Sequence, residues 1–120
     1  MSSYNKAKGS KFETDIENYT NENGLKCRRL PRAGAKDIGD AAIELRNGHV
    51  IVIEAKNTAA VNMAQYLREA EVEAEHYDQK YNKTTYGVVV HKTRGKSIGK
   101  ARVTMELDTL INLLNWSELS

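Results

Sequence analysis

The sequence predicts an α/β domain in which helices flank a mixed β-sheet. Runs of β-branched residues of strand length alternate with longer segments whose apolar residues recur at helical spacing, and short turns separate them. The predicted order is α-β-β-β-α-β-α. The chain has 120 residues and contains no internal repeat or linker, which favours one domain. We expect this domain to span residues 1–120, with residues 1–8 as an N-terminal arm that is free to flex.

The first helix is predicted over residues 10–23. Ser10 and Glu13 have the spacing of a capping box, in which each side chain bonds the backbone N–H of the other residue. Gly24 stands where a glycine commonly follows the end of a helix. The apolar stripe of this helix consists of Phe12, Ile16 and Tyr19.

A strand is predicted over residues 25–30, where Pro31 ends it, and a loop with two glycines follows over residues 32–39. Cys27 lies in this strand and is the single cysteine, so it can form no internal disulfide. A lone cysteine is typical of a protein in the reducing cytosol. We interpret Cys27 as a small buried strand residue and not as a catalytic thiol.

A hairpin around Gly48 is predicted over residues 40–56. Its register decides which side chains share a face, because successive residues of a strand point to opposite faces. A two-residue turn would pair Asp40 with Ala55 and direct Asp40 away from Glu54. A three-residue loop with Gly48 in the left-handed region would pair Asp40 with Glu54. The functional hypothesis below requires the three-residue loop, or a bulge with the same effect on parity.

The remaining elements are a long helix over residues 61–81, a short strand over residues 86–91 and a last helix over residues 106–116. The long helix has a narrow, alanine-rich apolar stripe, and such small residues let a helix lie close to a sheet. A basic, glycine-containing loop over residues 93–100 connects the last strand to the last helix.

Charge is segregated along the chain, although the formal net charge is only +2. Basic residues concentrate over residues 26–36 and 84–104, and acidic residues lie between these two segments. This distribution suits a chain that turns one face toward a polyanion. The sequence contains no run of about 18 apolar residues that could span a membrane, and no apolar secretory signal at its start. We therefore expect a cytoplasmic protein, and its small size is compatible with a phage or mobile-element gene.

Asp40, Glu54 and Lys56 are the candidate catalytic residues. Cleavage of a phosphodiester needs an activated water, a charge sink and help for the leaving oxygen, and a divalent cation contributes to all three. Mg²⁺ prefers carboxylate oxygens. Glu54 and Lys56 are two residues apart on one strand and so share a face. The competing interpretation is that all three are solvated residues at strand ends.

The motif Gly39-Asp40 followed by Glu54-Ala55-Lys56 resembles the PD-(D/E)XK nuclease signature, with glycine in place of the proline before the aspartate. Residues 9–13, 23–25 and 28–34, and the order of elements, are similar to archaeal-type Holliday junction resolvases. The resemblance covers roughly residues 6–92, whereas the chain from residue 93 onward resembles no family that we can name. It implies a restriction-endonuclease-like fold.

The resemblance also implies roles for individual residues. Asp40, Glu54 and the backbone carbonyl of Ala55 would bind Mg²⁺, for which Mn²⁺ would substitute, and Lys56 would be the catalytic lysine. Glu13 would reach the metal from the first helix. Gln65 would be a further catalytic residue, and Gly9 and Ser10 would form a mobile loop. The expected DNA-binding residues are Lys11, Arg28, Arg29, Arg32, Lys92, Arg94 and Lys96.

Some of these residues also have simpler explanations. The capping box accounts for Glu13 without any catalysis, and glutamines such as Gln65 are common on helix surfaces. The arginines Arg28, Arg29 and Arg32 could be a solubilising strand edge, and the basic residues 92–100 could form a disordered loop.

The resulting hypothesis is a Mg²⁺-dependent endonuclease that resolves four-way DNA junctions by paired nicks and leaves 5′-phosphate and 3′-hydroxyl ends. A two-fold symmetric homodimer would present two active sites to the two-fold symmetric junction, and the apolar side of the helix over residues 106–116 is the predicted dimer surface. Two alternatives remain open: a restriction-like or repair nuclease that acts on other DNA, and a non-catalytic DNA-binding protein with the same fold.

Overall fold

The computed structural model describes residues 3–32 and 36–116, with side chains from residue 7 onward. Its elements, in chain order, are α1 (Ser3–Glu22), β1 (Lys26–Arg29), β2 (Ala41–Glu44), β3 (Val50–Lys56), α2 (Met63–Tyr81), β4 (Thr85–His91), a short 3₁₀ helix (Ile98–Lys100), β5 (Arg102–Thr104) and α3 (Leu107–Trp116). The predicted α/β class is confirmed. In the described part of the chain, no helix is long and apolar enough to cross a membrane.

The five strands form one mixed sheet in the order β1-β2-β3-β4-β5. Only β3 and β4 pair in parallel, and the other three pairs are antiparallel. Parallel neighbours need a long crossover connection, and α2 provides it. The strand β5 was not predicted. It has three residues and pairs only with β4, so its sequence carries too short a pattern to identify it.

The hairpin between β2 and β3 has the register that the functional hypothesis requires. Ala41 pairs with Ile53, which places Asp40 beside Glu54, one position further along. The Leu45 N–H donates to the His49 carbonyl at 2.8 Å, and Gly48 has a φ of +88°. The three-residue loop with a left-handed glycine is therefore confirmed.

The sheet separates two apolar layers, because alternate residues of β3 point to opposite faces. On one face, Ile53 packs in a cluster with Phe12 and Ile16 of α1. On the other face, Val52 packs with residues of α2. Glu54 and Lys56 follow Val52 at the same parity and so lie on the α2 face, at the end of the strand.

The helix α2 lies very close to β4 at one point. A side chain at Gly87 would collide with the carbonyl oxygen of Ala70, so only glycine allows this approach. Ala70 and Ala74 are buried in the alanine-rich stripe of α2, as the sequence predicts. The contact fixes the depth at which α2 sits on the sheet.

The predictions about the start of α1 are wrong. The helix begins at Ser3 and not at residue 10, so residues 3–8 of the expected arm over residues 1–8 are helical, and residues 1–2 lie outside the described part of the chain. Ser10 therefore lies inside the helix and cannot be its N-cap, and Gly9 and Ser10 do not form a loop. Glu13 consequently has no capping-box partner, and it is buried instead.

Cys27 is buried on β1, in the cluster around Phe12. Burial raises the pKa of its thiol to about 11, and the nearby Glu17 carboxylate adds to this effect. A thiol with so high a pKa is almost entirely protonated at neutral pH and is a poor nucleophile. The interpretation of Cys27 as a structural residue is confirmed.

Candidate active site

A cavity of about 650 Å³ opens where the end of β3 meets α2. The chain leading into β2 supplies the opposite wall. Six of the residues predicted for the site line this cavity: Arg32, Asp40, Glu54, Ala55, Lys56 and Gln65. The fold therefore brings together side chains that are up to 33 positions apart in the sequence, from Arg32 to Gln65.

Asp40 is held rigidly at the end of the hairpin. It is buried, and its Oδ2 accepts a hydrogen bond from the Ala55 N–H at 2.8 Å. Its backbone N–H donates to the Ile53 carbonyl at 2.9 Å, although Ile53 pairs with Ala41, so the backbone pairing is irregular at Asp40, just before β2 begins. Arg32 donates to its Oδ1 at 3.2 Å. The hairpin thus orients Oδ2 through the Ala55 N–H, while Oδ1 is bonded by the side chain of Arg32, which lies outside the hairpin.

Glu54 is a buried carboxyl group, only 7% exposed. Burial raises its pKa, and the neighbouring carboxyl groups of Glu73 and Asp40 raise it further. Without a cation the side chain therefore retains a proton. A divalent cation in the cavity would displace this proton, since metal ligands must be deprotonated.

Lys56 lies on the same wall but bonds to α2. Its Nζ donates to Glu69 Oε2 at 2.9 Å and lies 4.6 Å from the centre of the Tyr66 ring. Burial lowers the pKa of Lys56, but the hydrogen bond to Glu69 and the attraction of Glu54 outweigh burial and raise the pKa overall. The ammonium group is therefore charged at neutral pH.

Gln65 lies in the first turn of α2, whose N-cap is Asn62. Its Nε2 donates to Glu69 Oε1 at 3.0 Å. Glu69 thus accepts from Gln65 with one oxygen and from Lys56 with the other. The sequence did not identify Glu69 as a residue of the site, although Glu69 connects two residues that it did identify, Gln65 and Lys56.

Glu13 reaches the site from α1 through arginine side chains. It is 7% exposed and accepts from Arg29 and Arg32, each at 3.4 Å. Burial raises its pKa, and the charge of Asp40 adds to this, while Arg32 and Arg29 oppose the shift. Because Arg32 bonds both Glu13 and Asp40, its guanidinium joins these two carboxylates.

Two acidic residues that the sequence reasoning missed stand beside Glu54. Among the described residues, one oxygen each of Asp37, Glu54 and Glu73 lie within 4.8 Å of one another. Glu73 is 5% exposed, although it belongs to a run of glutamates that resembles a solvated helix face. Its position three residues after Ala70 and four before Tyr77, both buried, is the signal that could have identified it.

The site fits a hard divalent cation. It offers carboxylate oxygens, which Mg²⁺ and Mn²⁺ prefer, and Glu73 Oε2 is buried without a hydrogen-bond partner. Buried carboxylates are usually paired or bind metals. The type of ligand atom and the unpartnered oxygen of Glu73 thus both favour a divalent cation at this site.

The predicted DNA-binding residues fall into two groups. Arg28 donates to the Tyr77 hydroxyl at 3.0 Å and pairs with Glu44, while Arg29 and Arg32 approach Glu13. The side chain of Arg32 is 78% exposed. Lys11, Lys92 and Lys96 line a second cavity, of about 210 Å³, between α1 and the loop after β4, and Arg94 is exposed in that loop.

Comparison with known proteins is consistent with this geometry. The model of the archaeal Holliday junction resolvase (Hjc) family matches residues 4–80, from α1 almost to the end of α2. The solved structure of Hjc from Archaeoglobus fulgidus, a hyperthermophilic archaeon, is similar with a TM-score of 0.55 at 16% identity, over 79% of this chain and 73% of that one. The comparison with curated proteins found no significant match.

Proposed function

The chain belongs to the archaeal Holliday junction resolvase family, and on that basis we propose that Asp40, Glu54 and Lys56 form its catalytic centre. As a member of this family it is a metal-dependent endonuclease that acts on four-way DNA junctions. The observation that carries the assignment is the hairpin register, which places Asp40 beside Glu54 with the Ala55 N–H bonded to Asp40.

Mg²⁺ is the proposed cation, with Mn²⁺ as a substitute. Asp40, Glu54 and the Ala55 carbonyl would hold it, with Glu13 behind them. When bound, the cation neutralises charge on the scissile phosphate and lowers the pKa of a nearby water. Hydrolysis then joins the water oxygen to phosphorus and breaks the bond to the 3′ oxygen, giving a 5′-phosphate and a 3′-hydroxyl.

Lys56 acts as a fixed positive charge in this scheme. Its ammonium group retains its proton and offsets the negative charge that develops on the phosphate in the transition state. Glu69 and Gln65 position it, because Glu69 accepts from both side chains.

The arginines and lysines described above would bind the DNA backbone. Arg32 lines the cavity, and its exposed side chain can exchange its bonds to Glu13 and Asp40 for a phosphate, whose geometry suits the guanidinium fork. Lys11, Lys92 and Lys96 surround the second cavity, where they would hold another part of the backbone. Such contacts position DNA without reading bases, so recognition depends on the shape of the junction.

A homodimer completes the proposal, because resolution of a junction requires two nicks. The helix α3 has a stripe of exposed apolar residues, which consists of Leu107, Leu110, Ile111 and Leu114. An exposed apolar patch of this kind marks an interaction surface. A second copy of the chain would cover it and bring a second active site to the opposite strand.

The test is cleavage of a labelled four-way junction and of a matched linear duplex, in Mg²⁺ and in EDTA. The proteins to compare are the wild type, Asp40→Asn, Glu54→Gln and, as control, Glu75→Gln, which alters an exposed glutamate of α2. We expect paired nicks in the junction only, which require metal and disappear in the two site variants while binding persists. Cleavage of the duplex would point to a repair or restriction-like substrate. Binding without cleavage in any divalent metal would favour a non-catalytic DNA-binding protein.

A further inference from the structure

The acidic cluster at the base of the cavity extends beyond the residues that the family motif contains. We propose that Glu73, on α2, is a direct ligand of the divalent cation and shares it with Glu54, while Asp37 contributes from the rim of the cavity. This inference rests on the proposed function, because it concerns the same cation.

The first argument is distance. The oxygens of Asp37, Glu54 and Glu73 lie within 4.8 Å of one another. Oxygens on opposite sides of one Mg²⁺ are about 4.2 Å apart, twice the length of a Mg²⁺–oxygen bond. The limit of 4.8 Å exceeds this separation by about 0.6 Å, so side-chain rotations that draw the three oxygens together would bring them onto a single ion.

The second argument is the unpartnered oxygen. Glu73 is 95% buried, at 5% exposure, and its Oε2 has no hydrogen-bond partner. A carboxylate oxygen that is buried without a partner is unfavourable, because it has lost its hydration and gained no hydrogen bond in exchange. By contrast, Glu71 and Glu75 on the same helix are exposed to solvent. Burial therefore distinguishes Glu73 from the exposed glutamates on either side of it.

The third argument is charge. Lys56, the lysine that lines the cavity, forms an ion pair with Glu69. Arg32 forms ion pairs with Glu13 and Asp40. In the described part of the chain, no lysine or arginine forms an ion pair with Glu54 or Glu73. A divalent cation would replace the proton that Glu54 holds and would supply positive charge to both buried carboxyl groups.

The position of Glu73 is fixed by packing. Ala70 presses against Gly87, and Ala74 and Tyr77 pack against the Val52 side of the sheet. Glu73 is adjacent to these residues on the helix surface, so it points toward the sheet where β3 presents Glu54. A ligand on a rigid helix holds the cation more accurately than one on a loop.

The experiment is a titration of Mn²⁺ that follows the electron paramagnetic resonance signal of free Mn²⁺, with the protein alone and with its complex with an uncleavable phosphorothioate junction. The variants are Glu73→Gln, Asp37→Asn and Glu54→Gln, and the control is Glu75→Gln. We expect Glu73→Gln to weaken Mn²⁺ binding by about tenfold or more, Asp37→Asn to weaken it less, and Glu75→Gln to leave it unchanged.

Cleavage at rising Mn²⁺ concentration gives a second measurement. A lost ligand raises the Mn²⁺ concentration required for half-maximal cleavage, and excess Mn²⁺ restores part of the rate. A structural role for Glu73 would lower the rate at every Mn²⁺ concentration. Glu73→Asp keeps a carboxylate and should recover part of the affinity, and it serves as the test variant if Glu73→Gln does not fold.

The outcomes separate the two proposals. If Glu54→Gln loses Mn²⁺ and Glu73→Gln binds it like the wild type, the role of Glu73 is refuted and the catalytic centre stands. If the wild type binds no Mn²⁺ either alone or with the junction, the catalytic centre and the Glu73 ligand are both refuted.

Discussion

The helices α2 and α3 violate the usual distribution of polar and apolar residues in opposite ways. The amphipathic helix α2 buries a glutamate, Glu73, at 5% exposure. The more apolar helix α3 buries none of its residues and leaves Leu107 69% exposed. Buried charge and exposed apolar stripes are the informative exceptions to the hydrophobic rule. Our proposals give each helix a partner outside its own chain: a cation beside α2 and a second copy against α3.

The two helices also differ in their relation to the family. Residues 4–80 match the family model, and this range contains nearly all of α2, whereas α3 lies outside it. The residues proposed for the chemistry thus lie within the matched range, and the surface proposed for assembly lies outside it. We expect that each helix can be altered without affecting the function of the other.

The largest effect is expected at the cation. Glu54→Gln should reduce junction cleavage by about 100-fold or more, because the amide cannot replace a charged ligand, and should leave the dimer intact. The measurement is the cleavage rate under single-turnover conditions, with the oligomeric state from light scattering. A dissociated Glu54→Gln protein would show that the two helices are not independent.

The reciprocal change is the double substitution Leu107→Glu with Leu114→Glu on α3. Burial of a leucine contributes about 1.5–3 kcal/mol, so the dimer should weaken by about 100-fold or more. The junction should then receive single nicks, with the bond-breaking rate retained. Analytical ultracentrifugation and the ratio of single to paired nicks measure the effect. Asn112→Glu, which lies off the apolar stripe, is the control, and an unchanged dimer in the double variant would place the interface elsewhere.

The close contact under α2 predicts a loss of stability. Gly87→Ala should lower the free energy of unfolding by about 1–3 kcal/mol, because its methyl group meets the Ala70 carbonyl and α2 must move outward. Gly9→Ala is the matched control: it lies in α1 with no neighbour within 4 Å, and it should stabilise by about 0.5–1 kcal/mol. Urea denaturation measures both. Equal effects of the two substitutions would contradict the close approach.

The smallest effect concerns pH and the metal-free protein. Burial raises the pKa of Glu54 and of Glu73. A carboxyl group with a raised pKa in the folded state stabilises the fold at low pH, and this contribution is lost as pH rises through the folded pKa. In EDTA, the free energy of unfolding should therefore fall as pH rises above the ordinary glutamate value of 4.5, through the folded pKa of Glu73 at about 7 and on toward the higher folded pKa of Glu54.

Carboxylates with lowered pKa, such as Glu44 and Glu69, titrate below this window and do not reverse the trend. Saturating Mn²⁺ should reduce the fall in the free energy of unfolding, because it stabilises the charged forms of Glu54 and Glu73. Glu73→Gln should reduce it as well, and Glu75→Gln should not. Denaturant unfolding at several pH values measures the slope, and a rise of stability with pH in EDTA would oppose the expectation.

The sequence left the hairpin register open between two turns, but it contains the local feature that favours the observed one. Glycine at position 48 favours the left-handed conformation, which the three-residue loop requires. Because side chains alternate between the two faces along β3, Glu54 then lies on the same face as Asp40. The start of α1 could not be predicted in the same way. Its first residues, Ser3 to Gly9, lack an apolar stripe, so no periodicity marks them as helical.

Glu73 escaped prediction for a different reason. In the sequence it alternates with other residues in an acidic run, and acidic runs on helices usually face solvent. Only the packing of α2 on Gly87 turns position 73 inward. The motif proposed to bind metal is local in sequence and was thus predictable, whereas the burial of Glu73, which depends on contact between helix and sheet, was not.

The three-residue turn that ends at Gly48 has an evolutionary consequence. Insertion or deletion of one residue there would shift the pairing by one position and turn Asp40 to the α1 face, away from Glu54. A change of two residues would preserve the face. Among homologues that retain nuclease activity, the length of this turn should therefore vary in steps of two, or any single-residue change should be accompanied by a β-bulge that restores the parity.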